Sequence, residues 1–228
     1  RFDEGLRRQV EFFCYDTFSP SPVFMDKDGQ MVYPNIITHM DRRSRQQSRD
    51  IEAIFGKDRY MSIAGIYPFA GGCSAMTLRW FLKHEPDVLA RSYQIGHLTT
   101  LVHHRLTGRW AVDLVNASMM GLYETTTQSG WSETIIRGLE LSPDWFGEIV
   151  NPGVPHGTLL PAMAKALGIP SGIPVAMGTN DAAVAHLGAG NTRAGQIMNT
   201  AGSSEMVTIL TDVPRVSPHY YLRNAALP

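Results

Sequence analysis

One acidic side chain stands in an otherwise small and apolar stretch, GIPVAMGTNDAAVAHLGAG at residues 172–190. Residues 174–177 have the composition of a buried strand and residues 182–187 that of a helix, so Asp181 lies at the junction between them. In open α/β sheets, ligands bind at the carboxyl ends of strands, where a carboxylate can accept a proton from a substrate hydroxyl. The structural alternative is an N-cap, a role that Asp fills well. The two roles are compatible, because one oxygen can cap the helix while the other faces a cleft.

Two further stretches contain polar side chains at predicted turns. Asp16 ends the first predicted strand and can hydrogen-bond a polar ligand, although a turn-forming Asp is an equal alternative. The segment TAGSSE has Gly202, Ser203 and Ser204 at a turn between two β-rich runs. Such a turn can present backbone N–H groups and hydroxyls to a phosphate, and its alternative is an ordinary hairpin. Asp41 and Arg43 are either a second polar pair or a solvated helix start.

Several common catalytic and binding patterns do not occur in the sequence. It contains no GxSxG, HExxH, P-loop or GxGxxG pattern, and no Ser-His-Asp arrangement can be argued from spacing. The two cysteines form no CxxC pair. The adjacent His103 and His104 would point in different directions on a helix, so we expect no metal site there.

The composition is that of a globular protein with balanced charge. The chain has 228 residues, 43% of them hydrophobic, with 20 basic and 21 acidic side chains. This balance gives no reason to expect nucleic acid or an anionic membrane as a partner. We find no stretch long and apolar enough to span a membrane and no signal peptide. Low cysteine usage favours a reducing compartment, so we expect a cytoplasmic protein.

Strand and helix patterns alternate along the chain. The sequence predicts a hairpin around Asp28-Gly29 and a loop at residues 65–72. Pro161 and Gly168 bracket a helix with the expected asymmetry of its two ends. The other predicted elements are strands at 8–15 and 219–224, helices at 44–55, 92–107 and 130–141, and a helix capped by Ser74 and ending before Pro86. This mixture indicates an α/β fold.

Five blocks in register resemble the FGGY family of carbohydrate kinases. The family's "Asp-x-x-Gly, then Pro, then Trp-x-Asp-x-Arg" block is similar to VFMDKDGQMVYPNIITHMDRRS, and its "LTGxxxxDxSxAS" block is similar to LTGRWAVDLVNAS. The remaining similar blocks are LRWFLKHEPDV, NPGVPHGTL and GIPSGIPVAMGTNDAAVAHLGAG. The chain departs from the family at His39, where the family has tryptophan, and at Thr77, where it has lysine. It also lacks the Gln-Met-His-Gly of xylulose kinases and the Arg-Glu pair of glycerol kinases.

The resemblance implies a ribonuclease H-like fold, as in actin and the heat-shock ATPases, with helical insertions. It implies phosphoryl transfer from ATP, with Mg²⁺, to a hydroxyl of a ketose, aldonate or polyol. Asp181 matches the catalytic base of the family, and Gly202-Ser203-Ser204 matches its second phosphate-binding turn. Asp16 and Thr17 lie where family members contact the sugar. Phe69 lies near a substrate-contacting tyrosine of glycerol kinases.

The resemblance also suggests a domain division. Residues 1–191 correspond to the N-terminal sugar-binding domain without its first hairpin, and 192–228 to the start of the C-terminal nucleotide-binding domain. The first phosphate motif and the adenosine motif would lie outside this chain, so we expect the chain alone to be inactive. A homodimer is one option for assembly. A catalytically inactive sugar- or nucleotide-binding sensor of the same fold is the alternative function, and a generic α/β hydrolase is the alternative from outside the family.

Overall fold

The computed structural model describes residues 3–202 and 205–226 and mixes short strands with helices. The helices are α1 Glu4–Arg8, α2 Arg45–Phe55, α3 Lys57–Ala64, α4 Ser74–His84, α5 Pro86–Arg91, α6 Leu98–Thr107, α7 Leu114–Met120, α8 Glu133–Gly138, α9 Pro161–Leu167 and α10 Asp181–Gly188, with a short 3-10 helix at Pro143–Trp145. None of the helices in these two ranges combines the length and apolar character needed to cross a bilayer.

The strands of the described chain form five pairs. They are β1 Asp16–Thr17, β2 Val23–Met25, β3 Gln94–Gly96, β4 Val112–Asp113, β5 Ile149–Val150, β6 Pro155–Thr158, β7 Pro174–Ala176, β8 Thr179–Asn180, β9 Ile197–Ala201 and β10 Glu205–Ile209. The pairs β1–β8 and β4–β5 are parallel, whereas β2–β3, β6–β7 and β9–β10 are antiparallel. The α/β class is therefore confirmed.

The main core lies between the β2–β3 pair and the helices α2 to α5, α7 and α8. The Phe24 and Phe81 rings lie 4.3 Å apart between centroids, and Tyr60 donates a buried hydrogen bond to Gly121 O at 2.7 Å. A second cluster of Leu106, Leu159, Ala164 and Val175 packs α6 and α9 against β7. The strand that leads toward Asp181 is thus supported by an apolar layer.

Several predicted elements are confirmed. The structure has helices at Arg45–Phe55 and Glu133–Gly138 and a turn at Asp26–Gln30, in which Asp26 N donates to Gln30 O at 2.9 Å. Pro161 begins α9, and Gly168 ends it with φ of 69°. The φ of Gly168 lies in the left-handed region that favours glycine.

Four predictions of elements were wrong in extent or type. The predicted strand at 8–15 does not form, because α1 ends at Arg8 and only Phe13 in the rest of that range makes a bridge, to Val175. The helix at 92–107 begins only at Leu98, since residues 94–96 pair with β2. Ser74 is the first residue of α4, whose N-cap position is occupied by Cys73. Residues 219–224 form no strand beyond an isolated bridge between Ser217 and Tyr220.

The segment after the β9–β10 hairpin returns to the first part of the chain. Leu222 N donates to Gly65 O at 2.8 Å, and Asn224 N donates to Ser118 Oγ at 3.3 Å. The Arg223 guanidinium donates to Gly72 O at 3.1 Å. Residues 222–224 therefore pack on the loop before α4 and on α7.

Candidate active site

Two parallel strands end together beside Asp181. Asp16 pairs with Thr179, and Thr17 pairs with Asn180, so β1 and β8 run in the same direction and end at the same sheet edge. Asp181 follows directly as the first residue of α10. The structure therefore brings Asp16 and Thr17 to the same edge as Asp181, which lies far from them in the sequence.

The neighbour of Asp181 caps the helix. Asn180 has the extended backbone of an N-cap, and its side-chain oxygen accepts from Ala183 N at 3.2 Å. The prediction that Asp181 fills the N-cap position was therefore wrong, because its backbone is already helical. Asn180 is buried at 4% exposure, whereas Asp181 is exposed.

One oxygen of the Asp181 carboxylate is held and the other is free. Oδ1 accepts from Ala182 N at 2.7 Å and from Asn180 Nδ2 at 3.0 Å. Among the described residues, no donor is paired with Oδ2. The carboxylate is therefore oriented by its neighbours and keeps one oxygen open for a proton or a hydroxyl donor.

The strand opposite Asp181 offers a carboxylate and a hydroxyl. Asp16 is exposed, and Thr17 is half-buried with its hydroxyl oxygen enclosed and unpaired within the described part of the chain. The preceding residue, Tyr15, lays its ring against Gly178 and donates its hydroxyl to Thr99 O at 3.1 Å. This contact sets the spacing between the two strands.

A buried carboxylate lies beneath β8, the strand that directly precedes Asp181. Asp113 is fully buried and accepts from the Thr179 hydroxyl at 2.6 Å, from Asn116 N at 3.0 Å and from Asn116 Nδ2 at 2.7 Å. Burial raises the pKa of this carboxyl above its usual value, and the hydrogen bonds from Thr179 and Asn116 oppose that change. Among the described residues it forms no ion pair, so donors alone hold its charge.

The other predicted site residues lie on separate elements. Phe69 is on the loop before α4, where its ring stacks on Tyr221 at 5.2 Å between centroids and packs against Gly72. Gly202 is exposed and follows β9 in the predicted hairpin, whose two strands pair as expected. Ser203 and Ser204 lie outside the described residues. Asp41 and Arg43 form an ion pair at 3.0 Å, and the guanidinium lies 4.9 Å from the centre of the Trp80 ring.

Sequence reasoning missed Asn180, Asp113, Asn116 and His97 as parts of the site. Asp113 and Asn116 lie inside LTGRWAVDLVNAS, the block that resembles a family pattern, so the sequence contains a signal for them. His97 had no signal of its own. Its ring is fully buried and bonds to Asn116 Oδ1 at 2.6 Å and to the Ser74 hydroxyl at 2.7 Å. Burial lowers the pKa of His97 to about 4.

The donor set at this edge is compatible with Mg²⁺ and ATP. Within the described residues, no cluster of three or more His, Cys, Asp or Glu side chains is arranged to hold a metal ion. A Mg²⁺ ion carried mainly by nucleotide phosphates needs only one or two protein carboxylates, and Asp16 and Asp181 are both exposed at this edge. Gly202, the last described residue before the predicted turn, is exposed.

The fold matches that of solved carbohydrate kinases. The crystal structure of xylulose kinase from Rhodospirillum rubrum matches 96% of this chain and 44% of that chain with a TM-score of 0.90 at 20% identity. Gluconate kinase from Lactobacillus acidophilus matches 92% of this chain and 42% of that chain with a TM-score of 0.84 at 17% identity. At such low identities the likeness shows the fold alone, which is the actin-like fold of sugar kinases.

The family follows from the sequence match. Residues 6–188 match the model of the FGGY family of carbohydrate kinases, N-terminal domain, so the chain belongs to this family. L-fuculokinase from Salmonella typhi is 27% identical over 85% of this chain and 40% of that kinase. Xylulose kinase from Escherichia coli (strain K12) is 27% identical over 79% of this chain and 36% of that kinase. The chain thus spans about two fifths of the length of these relatives.

Proposed function

We propose that the protein containing this chain transfers the γ-phosphoryl group of ATP to a hydroxyl of a sugar or polyol. The observation that carries the proposal is the exposed Asp181 carboxylate, which is oriented through Oδ1 and open at Oδ2, at the shared end of β1 and β8. Membership of a family of carbohydrate kinases supports the same reaction.

In this proposal each residue at the sheet edge has a role. Asp181 accepts the proton of the attacking hydroxyl through Oδ2, while Asp16 and Thr17 hydrogen-bond the sugar. Phe69 and the stacked Tyr221 offer an apolar surface to it. Gly202 and the serines at 203 and 204 hold a phosphate group of ATP. Mg²⁺, when bound, neutralises phosphate charge, and positioning supplies much of the remaining rate enhancement.

The proposal includes a domain division and a place in the cell. We assign residues 1–191 to the sugar-binding domain and 192–228 to the start of the nucleotide-binding domain, close to the end of the family match at residue 188. Residues 222–224 would then be a contact of the second domain with the first. We propose a cytoplasmic protein, where ATP is available, and leave a homodimer as the assembly to be tested.

The first test is ADP release by the complete protein with Mg·ATP. The names of the relatives suggest a panel of L-fuculose, xylulose, gluconate, glycerol and autoinducer-2. We expect turnover on one member of such a panel. In the Asp181→Asn variant kcat should fall on the order of 100-fold or more, since a general base is lost, while sugar binding measured by calorimetry persists.

A matched variant controls for the loss of a negative charge. Asp28 is exposed in the turn after β2, and its carboxylate forms no hydrogen bond or ion pair within the described residues. Asp28→Asn should leave kcat unchanged. Full turnover in Asp181→Asn would contradict the assignment of the base and direct the search to Asp16. Sugar binding without any turnover in the wild type would favour the inactive sensor instead.

A further inference from the structure

A chain of buried polar side chains connects the start of α4 with β8. Ser74, His97, Asn116, Asp113 and Thr179 are each at most 3% exposed. They are joined in this order by hydrogen bonds of 2.7, 2.6, 2.7 and 2.6 Å. The last member, Thr179, lies two positions before Asp181, and only the cap residue Asn180 separates them.

The donors and acceptors in this chain have a fixed direction. An ionised carboxylate only accepts, so the Asn116 NH₂ group must face Asp113 and its Oδ1 must face His97. His97 then donates from Nδ1, and its Nε2 accepts from the Ser74 hydroxyl. The Ser19 hydroxyl also donates to Asn116 Oδ1. The donor and acceptor roles along the whole chain of bonds therefore follow from the acceptor at Asp113.

The strand β8 needs an anchor of this kind. It is two residues long and pairs along one side with β1, which is equally short. Pairs of such length are not stable by themselves. The Thr179 hydroxyl bond to Asp113 ties β8 to the N-terminus of α7, which the same carboxylate caps through Asn116 N. The Asp113 side chain therefore joins the site edge to the core through the start of α7.

We propose that Asp113 is a positioning residue that fixes the orientation of Asp181 by holding Thr179. The inference rests on the proposed function, in which Asp181 is the base. Asp113 itself is fully buried beneath β8 and acts through the strand. Loss of its bond to Thr179 should loosen the start of α10 and lower turnover without removing any group that meets the substrate.

Two substitutions of Thr179 test the bond directly. Thr179→Val keeps the shape and removes the hydroxyl, whereas Thr179→Ser keeps the hydroxyl. In the complete protein, kcat of Thr179→Val should fall about tenfold, which corresponds to a change of about 1.4 kcal/mol, with KM for ATP changed by less than about twofold. Thr179→Ser should stay within about twofold of wild type. Hydrogen exchange of the peptide covering residues 181–188 should be faster in the valine variant alone.

The direction of the bonds gives a second test that does not depend on activity. Asp113→Asn sets one amide NH₂ against another, and Asn116→Asp sets two buried carboxylates together. The double variant Asp113→Asn/Asn116→Asp restores a donor facing an acceptor. Its thermal midpoint and its exchange protection at residues 181–188 should therefore exceed those of both single variants. A double variant no better than the worse single one would overturn the proposed direction.

The outcomes separate this inference from the proposed function. If the wild type phosphorylates a sugar and Thr179→Val matches it in both kcat and exchange, the positioning role is overturned while the kinase assignment stands. Faster exchange with unchanged kcat also overturns the role, as does equal loss in the serine variant. If no sugar is phosphorylated, the kinase proposal fails, and the exchange data alone decide whether Asp113 holds the start of α10.

Discussion

At the scale of single residues, the helix cap and the exposed carboxylate belong to two neighbouring side chains. Asn180 caps α10 from a buried position, and Asp181 stands exposed as the first helical residue. The division has a geometric cause. A capping side chain needs an extended backbone to reach the amides of the first turn, and Asn180 has φ of −74° and ψ of 137°. Asp181 is thereby left with one oxygen unused.

This division predicts different effects for two substitutions. Asn180→Ala should lower the free energy of unfolding by about 1 kcal/mol, because Ala183 N loses its acceptor. Asp181→Asn keeps the cap and should lower the free energy of unfolding by less than Asn180→Ala does. Urea denaturation of both variants measures the difference. Equal losses in the two variants would mean that Asp181 contributes to the cap after all.

At the scale of elements, the site depends on the close approach of β1 and β8. A Cβ atom on Gly178 would come within 2.3 Å of Cε2 of Tyr15, so the absence of a side chain lets the ring lie against the backbone. The ring is also tied to α6, since the Tyr15 hydroxyl donates to Thr99 O. It therefore cannot move aside without breaking that bond.

Gly178→Ala should consequently destabilise the protein by about 1–3 kcal/mol, the usual cost of overpacking. Gly188→Ala is the matched control, because no atom lies within 4 Å of its added Cβ. Its effect should stay within about 0.5 kcal/mol or be stabilising. Thermal unfolding of the two variants provides the comparison. A tolerated alanine at 178 would show that Tyr15 does not set the strand spacing.

At the scale of the whole molecule, two buried histidines make stability depend on pH. Burial lowers the pKa of His97 and of His103 to about 4, against about 6.5 in an unfolded chain. Between these values the unfolded chain binds more protons than the folded one. Stability therefore rises with pH and is lost as pH falls from about 6.5 toward 4. The raised pKa of Asp113 acts in the opposite direction.

The contribution of His97 can be isolated by substitution. When the pH falls from 7 to 5, His97 should lower the free energy of unfolding of the wild type by about 2 kcal/mol. His97→Gln retains a donor for Asn116 but does not titrate. Between pH 7 and pH 5 its free energy of unfolding should therefore fall by about 2 kcal/mol less than that of the wild type. Urea midpoints at the two pH values measure this. Identical pH dependence in both proteins would contradict a neutral buried His97.

The sequence by itself determined the elements whose ends depend on the backbone preferences of nearby residues. Pro161 and Gly168 bound α9 as predicted, because each restricts or frees its own backbone angles. The turn at Asp28-Gly29 and the strand–Asp181–helix unit were likewise predictable from local sequence. Five ordered blocks were also enough to indicate the family and with it the fold, which the structural matches confirm.

Tertiary structure alone decided what depends on distant partners. Residue 95 fits a helical pattern, yet it joins a strand because β2 offers backbone hydrogen bonds to it. The pairing of β1 with β8, which brings Asp16 to Asp181, cannot be deduced from either short segment. Likewise, the bond between Asp113 and Thr179 forms because burial makes an unpaired carboxylate costly and a distant strand supplies the donor. Periodicity and local capping contain no information about such long-range contacts. The sequence therefore identified Asp181 as a candidate, and the tertiary structure determined which side chains surround it.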